Sequence, residues 1–237
     1  MFRNLPNFLT LLNLFVGSVA GTSILLGYSE TGLVGIACCL LLDYLDGFTA
    51  RLFNIKHPMG KDLDSLADVV SFGFVPGAIY FHLFKKFPEF IIDGLEEIYP
   101  FVGFFFTVFA ALRLAKFNID TRQSDQFLGL PTPAATIFTA GLLFLSLDSC
   151  HSCNTILLNP WTLWISLVIL CGLMVSNLPM FNLKFNQYGW KGNEAKWIYI
   201  ILCVALLILM KEAAFSLVIV LYIFLSLLFQ KKNVVSS

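Results

Sequence analysis

Four aspartates stand in stretches that are otherwise apolar. Asp43 and Asp46 interrupt GIACCLLLDYLDGFTARLF, and Asp64 and Asp68 lie in DLDSLADVVSFGFVPG. The first pair is spaced i,i+3 and the second i,i+4, so each pair shares one face of a helix. The segment between them, from Arg51 to Lys61, is short and contains Pro58 and Gly60. A short connection makes the two helices antiparallel neighbours, and all four carboxylates then converge at one depth. Ionisable groups inside a membrane are expensive and mark function. Carboxylates gathered this closely also repel each other. One or two divalent cations bound through oxygen relieve that repulsion. Mg2+ or Mn2+ suits such ligands and leaves positions open for phosphate. The ordinary reading, helix-end charges facing water, does not account for the matching register on two helices.

The residues between the pairs complete a phosphate site. Gly47 lets a ligand approach the helix backbone, and Ala50 keeps that face open. Arg51 offers a planar fork to a phosphate. Gly60 removes bulk where the second helix begins. Taken singly, a membrane-helix glycine is a packing residue and a helix-end arginine a snorkelling anchor.

The elements that position these groups follow from composition. Of 237 residues, 58% are hydrophobic and 13% charged, and the mean hydropathy is +0.81. A soluble domain has about 45–50% apolar and about 25% charged residues. The chain therefore reads as an all-α integral membrane protein. A membrane helix needs about 20 mostly apolar residues. Eight such spans are legible, near 8–27, 31–53, 64–84, 98–117, 131–147, 156–176, 196–211 and 213–230. The last two are separated only by Lys211-Glu212-Ala213 and form a hairpin. With eight spans, twelve of the fifteen Lys and Arg residues fall on one side, leaving Lys85, Lys86 and Lys211 on the other. The positive-inside rule makes the basic side, with both termini and the aspartates, cytoplasmic. The expected location is the cell membrane.

The first residues, MFRNLPNFLTLLNLFVG, read as a retained first helix, because no small-residue cleavage site follows the apolar run. The formal net charge is zero, so no nucleic-acid partner is expected. Cys38, Cys39, Cys171 and Cys203 fall in apolar spans and read as packing residues. Cys150 and Cys153 have CxxC spacing without a second ligand pair, which reads as a polar loop. A divalent-cation transporter is the alternative of another class. It would spread its acids across the membrane depth and would have no need of Arg51.

Together the residues spell Asp43-x2-Asp46-Gly47-x2-Ala50-Arg51-x8-Gly60-x3-Asp64-x3-Asp68. This resembles the signature of the CDP-alcohol phosphatidyltransferase family, with all eight defining positions filled at the family spacing. The resemblance implies that Asp43, Asp46 and Asp64 hold a two-metal centre. It implies that Asp68 adds to the metal site and acts as base toward the acceptor alcohol, and that Gly47 and Arg51 contact the CDP part of a lipid donor. Pro6-Asn7-Phe8-Leu9-Thr10 resembles the family segment that closes over the nucleotide, with Asn7 and Thr10 as hydrogen-bonding residues. Simple capping of the first helix explains those two equally well. Relatives often carry Ser or Thr where this chain has His57, and no role is assigned to that residue. The resemblance implies a core of six spans in residues 1–180, with 181–237 a loop, a terminal hairpin and a short tail. It also implies a homodimer among membrane lipids.

The acceptor is read from three further stretches: GKDLDSLADVVSFG from Gly60, RLAKFN from Arg113 to Asn118, and GLPTPAA from Gly129. They resemble the branch of the family whose acceptor is L-serine and whose donor is CDP-diacylglycerol. Serine is a zwitterion and needs an anion-binding group. Arg113 can take its carboxylate in a bidentate pair, with Asn118 and Thr132 adding hydrogen bonds. Arg113 and Lys116 also read as anchors at a membrane edge. Glycerol phosphate or an inositol compound is the alternative acceptor within the family.

Overall fold

The computed structural model describes residues 5–53, 58–87, 95, 97–119, 127–147, 158–180, 189 and 193–234. His57, Cys150 and Cys153 lie outside the described residues. In chain order the helices are α1 (Leu5–Leu25), α2 (Ser29–Leu52), α3 (Pro58–Val69), a π-helical turn (Val70–Phe74) and α4 (Val75–Phe84). A 3-10 turn (Tyr99–Phe104) then leads into α5 (Phe105–Ile119), followed by α6 (Thr132–Leu145), α7 (Pro160–Val175), α8 (Glu194–Met210) and α9 (Ala214–Val234). A two-residue antiparallel ladder joins β1 (Phe127–Leu128) to β2 (Pro179–Met180). Because α3, the π turn and α4 run on as one unit, eight helical units stand among the described residues, where eight spans were expected. Four are long and apolar enough to cross a membrane, and four shorter apolar helices accompany them. The chain is an all-α, multi-pass membrane protein.

One boundary differs from expectation. The third span was expected to open at Asp64, but its helix begins at Pro58. Proline's fixed φ suits a first helical turn, where its missing N–H is not needed. Gly60, Lys61 and Asp62 lower the hydropathy of its first turns, so hydropathy sees only the later part of the helix. Asp64 and Asp68 consequently stand well inside a helix, not at its tip.

That third unit is the axis of the bundle. Other helices enclose 61% of its apolar window, against 17–33% for the other three long helices. α1 lies close against it and against α2 through small residues. A Cβ on Gly35 would stand 2.6 Å from the Ala20 Cβ, and one on Gly17 would stand 2.5 Å from Ser71 Oγ. Such small-residue seams let membrane helices approach closely.

The π turn has a local cause. Pro76 has no N–H to offer the preceding turn, and the Val75 amide instead bonds back to the Val70 carbonyl. Side chains from neighbouring helices meet the loosened carbonyls. Thr107 donates to Gly73 O at 3.0 Å, and Thr136 Oγ1 lies 3.3 Å from Phe72 O. Beyond the turn the bundle is aromatic. Phe84 packs on Tyr99 and Trp164 with centroids 5.3 and 5.6 Å away, and Trp164 Nε1 donates to Tyr99 at 2.7 Å.

Candidate active site

The antiparallel α2 and α3 bring the two acidic pairs together. Carboxylate oxygens of Asp43, Asp64 and Asp68 all lie within 4.8 Å of one another. Oδ1 of Asp64 and Oδ1 of Asp68 are enclosed and have no hydrogen-bond partner among the described residues. A buried polar atom without a partner is costly, and a bound cation would supply one to both oxygens. Three converging hard-oxygen donors fit a divalent cation. The residues present therefore fit the metal that the signature implies.

Asp46 stands at the edge of this trio and is buried. It interacts electrostatically with Asp43, Asp64 and Asp68. Its Oδ2 accepts a hydrogen bond from Thr10 Oγ1 at 2.9 Å, while the same hydroxyl lies 3.0 Å from the Pro6 carbonyl. Thr10 thus fastens the start of α1 to an acid of α2, and it orients that carboxylate. Asn7 lies half-buried on the same opening of α1.

Gly47 is not a packing glycine. A Cβ there would meet nothing within 4 Å, so this face of α2 is open for a ligand to approach. Arg51 is exposed, and its Nε donates to Gly47 O one turn back at 2.9 Å. That bond leans the guanidinium over the open face.

On the other side of Asp68 lies Arg113 of α5, 8% exposed. The two groups interact electrostatically. Arg113 Nη1 donates to Thr132 Oγ1 at 3.2 Å, its guanidinium sits 5.8 Å from the centroid of the Phe117 ring, and its Nε has no hydrogen-bond partner among the described residues. A local turn explains how Thr132 gets there. Gly129 has φ +75, a left-handed conformation that favours glycine. Its N–H donates to Leu178 O at 2.8 Å. The chain is thereby turned so that Thr132 opens α6 facing Arg113.

Asn118 goes elsewhere. Its side-chain amide donates to Ser65 Oγ at 2.8 Å, and its carbonyl accepts from Lys61 Nζ at 3.3 Å. These bonds tie the end of α5 to α3 but do not join Asn118 to Arg113. Lys116 donates to Val175 O at 3.0 Å and Asn177 Oδ1 at 3.1 Å. A small cleft lined by Arg113, Lys116, Phe117, Ser176 and Asn177 opens there.

Sequence reasoning passed over Asn13. It is fully buried, and both polar atoms of its side chain lack a partner among the described residues. Its carbonyl accepts from Ser71 at 3.1 Å and from Cys39 Sγ at 3.7 Å. Its position three residues beyond Thr10, on the same face of α1, was the signal available in the sequence.

Residues 3–172 match the CDP-alcohol phosphatidyltransferase family. A CDP-diacylglycerol–serine O-phosphatidyltransferase of Helicobacter pylori is 35% identical over 195 residues, which is 78% of this chain and 75% of that one. Proteins of the same name in Bacillus subtilis and Saccharomyces cerevisiae are 30% and 33% identical over 62% and 61% of this chain, covering 82% and 55% of their own lengths. The chain belongs to the CDP-alcohol phosphatidyltransferase family.

Proposed function

We propose that this chain transfers the phosphatidyl group of CDP-diacylglycerol to the hydroxyl of L-serine, releasing CMP and forming phosphatidylserine. One observation carries the reading. The converging carboxylates of Asp43, Asp64 and Asp68 lie beside a buried Arg113 whose Nε is unpaired. An acidic, cation-fitting centre next to an enclosed guanidinium suits a donor pyrophosphate on one side and an acceptor carboxylate on the other.

Asp43, Asp46, Asp64 and Asp68 would hold the divalent metal, Mg2+ or Mn2+ and two ions by the family resemblance. When bound, it would neutralise the pyrophosphate and the charge that grows on departing CMP. The chain's own groups do the rest. Thr10 keeps Asp46 oriented, while Asn7 stands ready for the nucleotide. The open face at Gly47 admits the CDP moiety, and Arg51 supplies positive charge over it. Arg113 pairs with the serine carboxylate, and Thr132 fixes the guanidinium. Asp68 takes the proton of the serine hydroxyl. The serine oxygen bonds to the phosphorus that carries diacylglycerol, and the bond from that phosphorus to the CMP oxygen breaks. Catalysis of this kind rests on positioning and electrostatic stabilisation.

The site would lie at the cytoplasmic edge of the cell membrane, where lipid tails stay in the bilayer and serine arrives from water. The side of the membrane is supported by the twelve-to-three division of basic residues.

The test is a product assay. Purified protein is incubated with CDP-diacylglycerol and Mg2+ or Mn2+, with serine, glycerol 3-phosphate or inositol offered separately, and the lipid products are identified by mass. Phosphatidylserine and CMP in equal amounts, formed only with serine, are expected. A different lipid product would move the acceptor within the family. Cation flux into sealed vesicles without CMP release would instead favour the transporter.

A further inference from the structure

The last two helices lie beyond the family match, which ends at residue 172, yet α9 reaches the site. Two contacts fix its register on α6. Ser216 Oγ donates to Phe138 O at 2.9 Å, and Gly141 is pressed against Ser216 so closely that a Cβ there would collide with it. Six residues further along α9, about 9 Å at the helical rise, comes Tyr222. α6 and α9 run antiparallel, because two membrane crossings, α7 and α8, lie between them. The same count back along α6 from Phe138 arrives at Thr132, the residue that holds Arg113 Nη1. Tyr222 therefore stands level with the guanidinium.

Its surroundings agree. Tyr222 is 6% exposed and packs edge-on against Tyr199 of α8, with centroids 5.9 Å apart. Its phenol and the Arg113 guanidinium are near enough to interact electrostatically. Arg113 thus has Asp68 of α3, Phe117 of its own helix, Thr132 of α6 and Tyr222 of α9 around it, with Nε left without a partner.

We propose that Tyr222 is a positioning residue for the acceptor. It closes the wall behind Arg113, so that the unpaired Nε edge of the guanidinium presents toward the acceptor carboxylate. The terminal hairpin then completes the acceptor side of the site. This inference rests on Arg113 being the acceptor's anion partner.

The experiment measures KM for serine, KM for CDP-diacylglycerol, kcat and thermal melting on the full chain in mixed micelles. The variants are Arg113→Lys, Tyr222→Phe, Tyr222→Leu and the double Arg113→Lys/Tyr222→Leu. Tyr222→Phe keeps the ring but removes the phenol oxygen that interacts with the Arg113 charge, and is expected to raise the serine KM about three- to tenfold, the worth of one polar contact. Tyr222→Leu should raise it about tenfold or more. KM for CDP-diacylglycerol should stay within about twofold, since that substrate lies on the far side of Asp68. The double variant should be little worse than Arg113→Lys alone, because both changes act through one guanidinium. If Arg113→Lys leaves the serine KM unchanged, the acceptor reading itself fails and takes this inference with it. If Arg113→Lys raises the serine KM but neither Tyr222 variant does, the inference alone is overturned. Parallel rises in both KM values with a lower melting temperature would overturn it too, by making Tyr222 a packing residue only. Should Tyr222→Leu fail to fold, Tyr222→Phe decides.

Discussion

Along the single unit from Pro58 to Phe84, the first half carries Asp64 and Asp68, each with an enclosed carboxylate oxygen that no described residue satisfies. In the second half Val75, Ala78, Ile79, Tyr80 and Phe84 are fully enclosed. There even the buried Tyr80 hydroxyl has a partner, Ser166 Oγ at 2.9 Å. The π turn at Val70–Phe74 separates the halves. π turns are frequent at functional sites. The contrast teaches that one helix both anchors the bundle and bears unsatisfied charge. Packing in the apolar half holds the acids in place against their own repulsion.

Substitutions on the two sides of that turn should separate activity from stability. The largest effect on turnover is expected from Asp68→Asn. Loss of a general base costs about 10²–10⁴-fold. Serine-dependent CMP release should fall by that range, while the melting temperature holds or rises because one repelling carboxylate is gone. Near-normal CMP release would remove Asp68 from the chemistry.

Phe84→Ala should do the reverse. Truncating a buried phenylalanine costs about 3–5 kcal/mol, read as a large drop in melting temperature or detergent half-life. Both KM values of the surviving folded fraction should be unchanged. A selective KM change would break the division between the halves.

Thr10→Ala probes the acidic half more gently. Removing a group that orients a metal ligand typically weakens metal binding about 10–100-fold. Mn2+ titration of purified protein, followed by calorimetry or electron paramagnetic resonance, checks this without reference to turnover. Unchanged Mn2+ affinity would reassign Thr10 to capping α1.

Gly47→Ala should have the smallest effect on folding. Nothing would meet the added methyl within 4 Å, and alanine is favoured over glycine in a helix by about 1 kcal/mol. The melting temperature should hold or rise slightly, while KM for CDP-diacylglycerol increases. A falling melting temperature with unaltered KM would make Gly47 a packing glycine like Gly35.

Much of this was legible in the chain. Hydropathy gave the eight helical units seen among the described residues, because burying apolar length in a bilayer leaves a continuous mark in sequence. The i,i+3 and i,i+4 spacing put Asp43, Asp64 and Asp68 in one place, because helical periodicity and a short connection allow little else. The start of α3 lay outside the expected span, since Gly60, Lys61 and Asp62 keep the hydropathy of its opening low and the helix begins at Pro58.

Other features were settled only between helices. Thr10 and Asp46 are 36 residues apart in sequence, and Arg113 and Thr132 are 19 apart. Their hydrogen bonds depend on how α1 lies on α2 and how Gly129 turns the chain into α6. Asn118, adjacent to Phe117 in the same motif, was drawn to Ser65 instead. Tyr222 carried no signal at all, because its meaning depends on the register that Ser216 and Gly141 set between α9 and α6. Periodicity and hydropathy are local properties, so the sequence alone determined which residues share a face and which segments cross the membrane. Which faces meet, and at what depth, is decided by the packing of small residues between helices far apart in the chain, and only the tertiary structure holds that.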